Sequence, residues 1–107
     1  MTGGVRVLGV SGELDIDTCG ELRRHLGSRA GATPDVVDLS ECAFIDSTGV
    51  GLLVRASRVA REGVSGLVIV AAPGSQVRKT LRLTNVDSAI PVLGSLDAAL
   101  SMARGNG

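Results

Sequence analysis

The stretch F-I-D-S-T-G-V-G-L-L-V-R-A, from Phe44 to Ala56, decides how this chain is read. Two apolar residues lead into three small polar ones, and an apolar run at helical spacing follows. Asp46, Ser47 and Thr48 therefore stand where a connection from a strand enters a helix. In open parallel sheets, binding sites gather in the crevices beyond the strand ends. The first N–H groups of the helix are free there, and its dipole is positive there. A phosphate at that spot suits the fold, because helix N-termini bind anions. Phosphorylating Ser47 would add about −1.5 to −2 charges without breaking the domain. Asp, Ser and Thr are equally ordinary helix caps. On local chemistry a cap and a surface switch both fit.

Two glycines in the following turn sharpen the question. Gly49 and Gly51 are poor helix formers, each costing about 1 kcal/mol against Ala. Their presence implies close approach by another backbone, either within the fold or from a partner. The helix, expected over residues 48–61 and stopping at Gly63, carries two apolar stripes. One runs through Gly49, Leu53, Ala56 and Ala60, the other through Leu52, Ala56 and Val59. One stripe must cover the sheet. The other is either buried by neighbouring helices or left for a partner.

Outward from this stretch, strands alternate with helices. Residues 5–11 form a β-branched run closed by Gly12, and a first helix is expected over residues 18–28, capped by Asp15 or Asp17. A turn cluster at residues 31–34 precedes a strand at residues 35–39, and residues 40–43 read as a short connection. Residues 67–71 are a third strand of Leu, Val, Ile and Ala. Pro73-Gly74-Ser75 opens a helix at residues 76–83, residues 89–92 form a short last strand, and residues 96–104 a final amphipathic helix. The tail from Gly105 to Gly107 is expected to fray. The pattern predicts one α/β domain over residues 1–107: a mainly parallel four-stranded sheet, with room for one more edge strand, and about four helices.

Composition narrows the function classes. At 107 residues and 44% hydrophobic, the chain can fill one core. Eleven basic and eleven acidic residues give a net charge of zero, so there is no field for DNA or an anionic membrane. Phe44 is the only aromatic residue, which leaves no stacking platform for single-stranded nucleic acid. Arg55, Arg58, Arg61, Arg78, Lys79 and Arg82 read as solvated helix faces, with a docking patch for an acidic partner as the alternative. Cys19 and Cys42 are isolated and cannot complete a zinc set with the lone His25. No cofactor or metal is expected. No secretory signal is visible, and the longest apolar run, residues 67–72, is far too short to span a bilayer. A reducing, cytoplasmic setting fits.

An enzyme is not expected. Ser47 as a nucleophile needs a base, and His25 lies in the first helix, where it reads as a surface or boundary residue. The nucleophile elbow G-x-S-x-G is absent, as are G-x-x-x-x-G-K and G-x-G-x-x-G.

Three blocks carry a resemblance: G-E-L-D from Gly12 to Asp15, F-I-D-S-T-G-V-G from Phe44 to Gly51, and V-R-K-T-L-R-L-T-N-V from Val77 to Val86. With them the chain resembles the STAS-domain anti-sigma factor antagonists of bacteria over nearly its whole length. The resemblance implies a small α/β domain that binds an anti-sigma factor. That partner is also a serine kinase of the GHKL ATPase type. The unmodified antagonist sequesters the kinase and frees a sigma factor, phosphorylation ends binding, and a PP2C-type phosphatase restores it. Carried over by position, Ser47 is the phosphoacceptor. The implied contact surface is Asp46, Ser47, Thr48, Gly49, Val50, Gly51 and Leu52. Such domains usually carry an additional N-terminal strand, which residues 1–4 are too short to supply, so an exposed sheet edge is expected. The alternative is a STAS domain without a switch, a subunit of a transport or other signalling complex.

Overall fold

The structure, a computed structural model, describes residues 5–27, 35–62 and 66–104. Four strands form one sheet in the order β1-β2-β3-β4: β1 Arg6–Leu14, β2 Asp35–Ile45, β3 Leu67–Val70 and β4 Val92–Leu93. Every neighbouring pair is parallel. Among the described residues four α-helices connect or follow them: α1 Cys19–Gly27, α2 Ser47–Glu62, α3 Gln76–Leu83 and α4 Leu96–Ala103. A parallel sheet needs both faces covered, and the strand residues alternate accordingly. Val37, Leu39 and Ile69 pack with Leu22, Leu26, Leu52, Leu53, Val77 and Leu81 from α1, α2 and α3. Val36, Val68 and Val70 pack with Ala99 of α4.

The expected mainly parallel, four-stranded α/β architecture is what the chain adopts, with β1 at one edge of the sheet among the described residues. The helix starting at Gln76 has the expected bounds, and the Ser75 hydroxyl caps it by accepting from the Arg78 N–H at 3.1 Å. Three elements differ from expectation by more than one residue. Residues 40–43 are not a connection: β2 runs unbroken for 11 residues. Ser40 and Glu41 are exposed there, which hides the strand in the sequence, but Ser11 pairs with Glu41 and Gly12 with Cys42. Likewise β1 passes Gly12 and continues to Leu14. Gly12 has φ +81°, and the register shifts beside it, so it bends the strand and does not end it. The last strand is Val92–Leu93; a 3₁₀ turn, Val86–Ser88, and the buried Ile90 occupy the chain before it. The turn at residues 31–34, the helix stop at Gly63, the tail at residues 105–107 and residues 1–4 lie outside the described residues.

Beyond Asp38, β2 has no β3 partner among the described residues and pairs with β1. The two strands thus run on past β3 and end together, with Leu14 opposite Ile45. That shared end places the turn after β1 beside the start of α2.

Candidate functional site

Asp46 is the single residue between β2 and α2, and it is tied at both ends. Its N–H donates to the Leu14 carbonyl at 3.2 Å, extending the β1–β2 pairing by one bond. Its carboxylate Oδ1 accepts from the N–H groups of Thr48 at 3.0 Å and Gly49 at 3.1 Å. Its carbonyl accepts from Val50 N–H at 3.0 Å, the first turn of α2. Asp46 is thus the N-cap, with two otherwise orphaned donors on one oxygen.

Ser47 is therefore released from capping. It is the first residue of α2 and its side chain is exposed, whereas Asp46 and Thr48 are half-buried. Among the described residues nothing hydrogen-bonds the Ser47 hydroxyl. Gly49 is buried because α2 starts against the end of β1. A Cβ there would lie 2.7 Å from the Leu14 carbonyl oxygen and 2.8 Å from Ile45 Cγ1. Gly51 is different: a Cβ there would meet nothing within 4 Å. The close approach within the fold is at Gly49 only.

Leu52, expected on the contact surface, is 4% exposed and packs into the core with Leu53. At helical spacing it lies on the face opposite Ser47. Its side chain offers nothing to a partner, and the accessible residues of the stretch are Asp46, Ser47, Thr48, Val50 and Gly51.

The G-E-L-D block forms the neighbouring wall. Asp15 Oδ1 accepts from the N–H groups of Asp17 at 3.0 Å and Thr18 at 3.1 Å. The Thr18 hydroxyl donates to the Glu13 carbonyl at 2.6 Å and accepts from Asp15 N–H at 3.0 Å. This closed turn leads into α1 and holds Ile16 at its tip, 73% exposed. Ile16 is not among the residues expected at the site; its signal in the sequence is an isolated apolar residue between two turn-forming aspartates. Below, the buried Cys42 thiol donates to the Phe44 carbonyl at 3.2 Å, and burial pushes its pKa up from the ordinary 9.0.

His25 is exposed on α1, where its Nδ1 donates to the Glu21 carbonyl at 2.9 Å. A groove of about 890 Å³ follows the outer edge of β1 from Val7 to Leu14, and none of residues 46–52 lines it. Among the described residues no group of three or more His, Cys, Asp or Glu could hold a metal ion. No described helix is long and apolar enough to cross a membrane.

The chain is 32% identical over 104 residues to the anti-sigma-F factor antagonist RsfB of Mycobacterium tuberculosis, covering 95% of this chain and 84% of that protein. The crystal structure of an anti-sigma factor antagonist from Mycobacterium paratuberculosis superposes with a TM-score of 0.81 at 33% identity, over 94% of this chain and 86% of that one. A putative anti-sigma factor antagonist from Thermotoga maritima shares the fold at 19% identity, with a TM-score of 0.80 over 97% of this chain and 90% of its own. The family model described as "Mlab, STAS domain" matches residues 1–99, and the chain belongs to the STAS domain family.

Proposed function

We propose that this protein is a cytoplasmic anti-sigma factor antagonist switched at Ser47. In its unmodified form it binds an anti-sigma factor that is also a serine kinase of the GHKL type, and so frees a sigma factor. Transfer of a phosphoryl group to the Ser47 hydroxyl ends binding, and a PP2C-type phosphatase restores it. The relatives that match over most of the chain are named anti-sigma factor antagonists, which supports the partner class. The observation that carries the switch is the division of labour at the start of α2. Asp46 does the capping, so the exposed Ser47 hydroxyl can change charge without dissolving the helix.

The magnitude is sufficient. A partner surface fitted to a neutral hydroxyl must desolvate a dianion once Ser47 is modified. A loss of about 3 kcal/mol weakens binding more than a hundredfold, since about 1.4 kcal/mol is tenfold. The test is reaction with the kinase and ATP, followed by mass spectrometry and titration calorimetry. Phosphate is expected on Ser47, with Ser47→Ala binding like the unmodified protein and Ser47→Asp binding far more weakly. Phosphate confined to Thr48 or Ser40, or equal affinities for the two variants, overturns the reading.

A further inference from the structure

Gly51 is a residue that the fold does not require. It lies in the second turn of a 16-residue helix, where glycine is among the poorest choices. Its neighbour Gly49 has a reason within the molecule, because the Leu14 carbonyl fills the space a Cβ would take. At Gly51 that space is open, so nothing among the described residues explains the missing side chain.

The position on the helix is informative. Ser47, Gly51 and Arg55 are successive i, i+4 positions, and Arg58 lies on the same outward face, at an angle between Ser47 and Gly51 and further along the axis. Ser47, Arg55 and Arg58 are exposed. Val50 and Val54 line one side of this lane, half-buried and packed against the edge of the core. From Ser47 to Arg58 the lane is about 16 Å long at the rise of an α-helix. Neither Arg55 nor Arg58 makes a hydrogen bond or ion pair with another described residue. The lane is thus a hydroxyl, a bare stretch of backbone bordered on one side by two valines, and two cations without a partner among the described residues.

We propose that this outward face of α2 is a docking lane for an acidic surface of the partner, with partner atoms resting directly on the backbone at Gly51 and carboxylates meeting Arg55 and Arg58. This rests on the reading of Ser47 above and extends it. An acidic surface drawn to the two arginines is repelled by a new dianion at the head of the same lane. One electrostatic field therefore accounts for both attraction and release. Gly51 makes the fit steep: a side chain there holds the two surfaces apart and weakens all the contacts together.

The experiment uses the full chain and the purified anti-sigma factor kinase, identified by its transfer of phosphate to this protein. Affinities are measured by titration calorimetry for Gly51→Ala, Gly51→Leu, the double reversal Arg55→Glu with Arg58→Glu, the double Lys replacement of the same pair, and Ser47→Asp. Circular dichroism and urea unfolding confirm each fold. Expected are affinity losses of about tenfold for Gly51→Ala and larger for Gly51→Leu. The charge reversal is expected to lose at least about a hundredfold, and the Lys pair to stay near wild type with a clear weakening of binding in high salt. Gly51→Ala is also expected to unfold at higher urea than the wild type, separating its binding defect from any loss of stability. Wild-type affinity in the Gly51 and charge-reversed variants, with Ser47→Asp still defective, overturns the lane and leaves the Ser47 switch standing. Wild-type affinity in Ser47→Asp with defects in the lane variants overturns the switch instead.

Discussion

The Leu14 carbonyl oxygen stands 2.7 Å from where a Cβ on Gly49 would lie. The same oxygen accepts the Asp46 N–H at 3.2 Å. One backbone group thus sets both the end of β2 and the depth at which α2 begins. Adding a methyl group at residue 49 must push α2 off the sheet or break the Asp46–Leu14 bond. Gly49→Ala should destabilise the domain by about 1–3 kcal/mol, the range for overpacking a tight contact. Gly51→Ala meets open space and should stabilise it by up to about 1 kcal/mol. Urea unfolding of the two variants should show shifts of opposite sign; shifts of the same sign would mean that the start of α2 can slide.

Asp46 supports a second expectation. Its Oδ1 takes the Thr48 and Gly49 N–H groups at 3.0 and 3.1 Å. Asp46→Ala strands both donors in a half-buried position and should cost about 1–2 kcal/mol, the upper part of the range for cap removal. Asp46→Asn keeps an accepting oxygen and should cost far less. Thermal unfolding of the pair measures the difference. Equal losses would show that charge at the helix dipole matters here and that the hydrogen bonds do not.

Much of this arrangement was legible before any coordinates. The junction of strand and helix at Asp46 follows from the change of period between Phe44–Ile45 and the apolar run after Thr48. The parallel sheet follows from strands and helices in alternation. What escaped was non-local. Residues 40–43 look like a loop because Ser40 and Glu41 are polar, and only pairing with Ser11 and Gly12, about 30 residues earlier, keeps them extended. Gly49 and Gly51 look alike in sequence, and only the position of Leu14 separates them. Leu52 sits within the signal stretch, but the helical period turns it into the core.

Cys42 gives the domain a pH dependence. Burial raises its pKa above the ordinary 9.0, outweighing the lowering by the nearby backbone groups of Phe44 and Leu14. The folded state therefore holds the thiol proton more tightly than the unfolded chain does. The associated stability is complete below pH 9.0 and is lost as pH rises through the unfolded and then the raised folded value. The chain has no Tyr and a single Lys, so few other groups titrate in that window. The midpoint of urea unfolding should fall above pH 9.0, and Cys42→Ala should flatten the fall. An unchanged slope in the variant would assign the loss to another group.

Arg6 and Asp35 tie the starts of β1 and β2 across a register pair. The contact is two-pronged, Nε to Oδ1 at 2.9 Å and Nη2 to Oδ2 at 3.0 Å, with the side chains 12% and 11% exposed. Bidentate geometry at this depth is stronger than a surface pair, but both ions are partly desolvated to make it. Removing one partner should therefore cost more than replacing both. Asp35→Leu alone leaves the guanidinium without this carboxylate and should lose about 2–3 kcal/mol, a figure reduced from the fully buried case because water still reaches the pair. Arg6→Met combined with Asp35→Leu should recover at least half of that loss, since a well-packed apolar pair at the sheet edge needs no counterion. A double-mutant cycle in urea measures the coupling; additive losses would show that the pair holds geometry at the strand starts without contributing net stability.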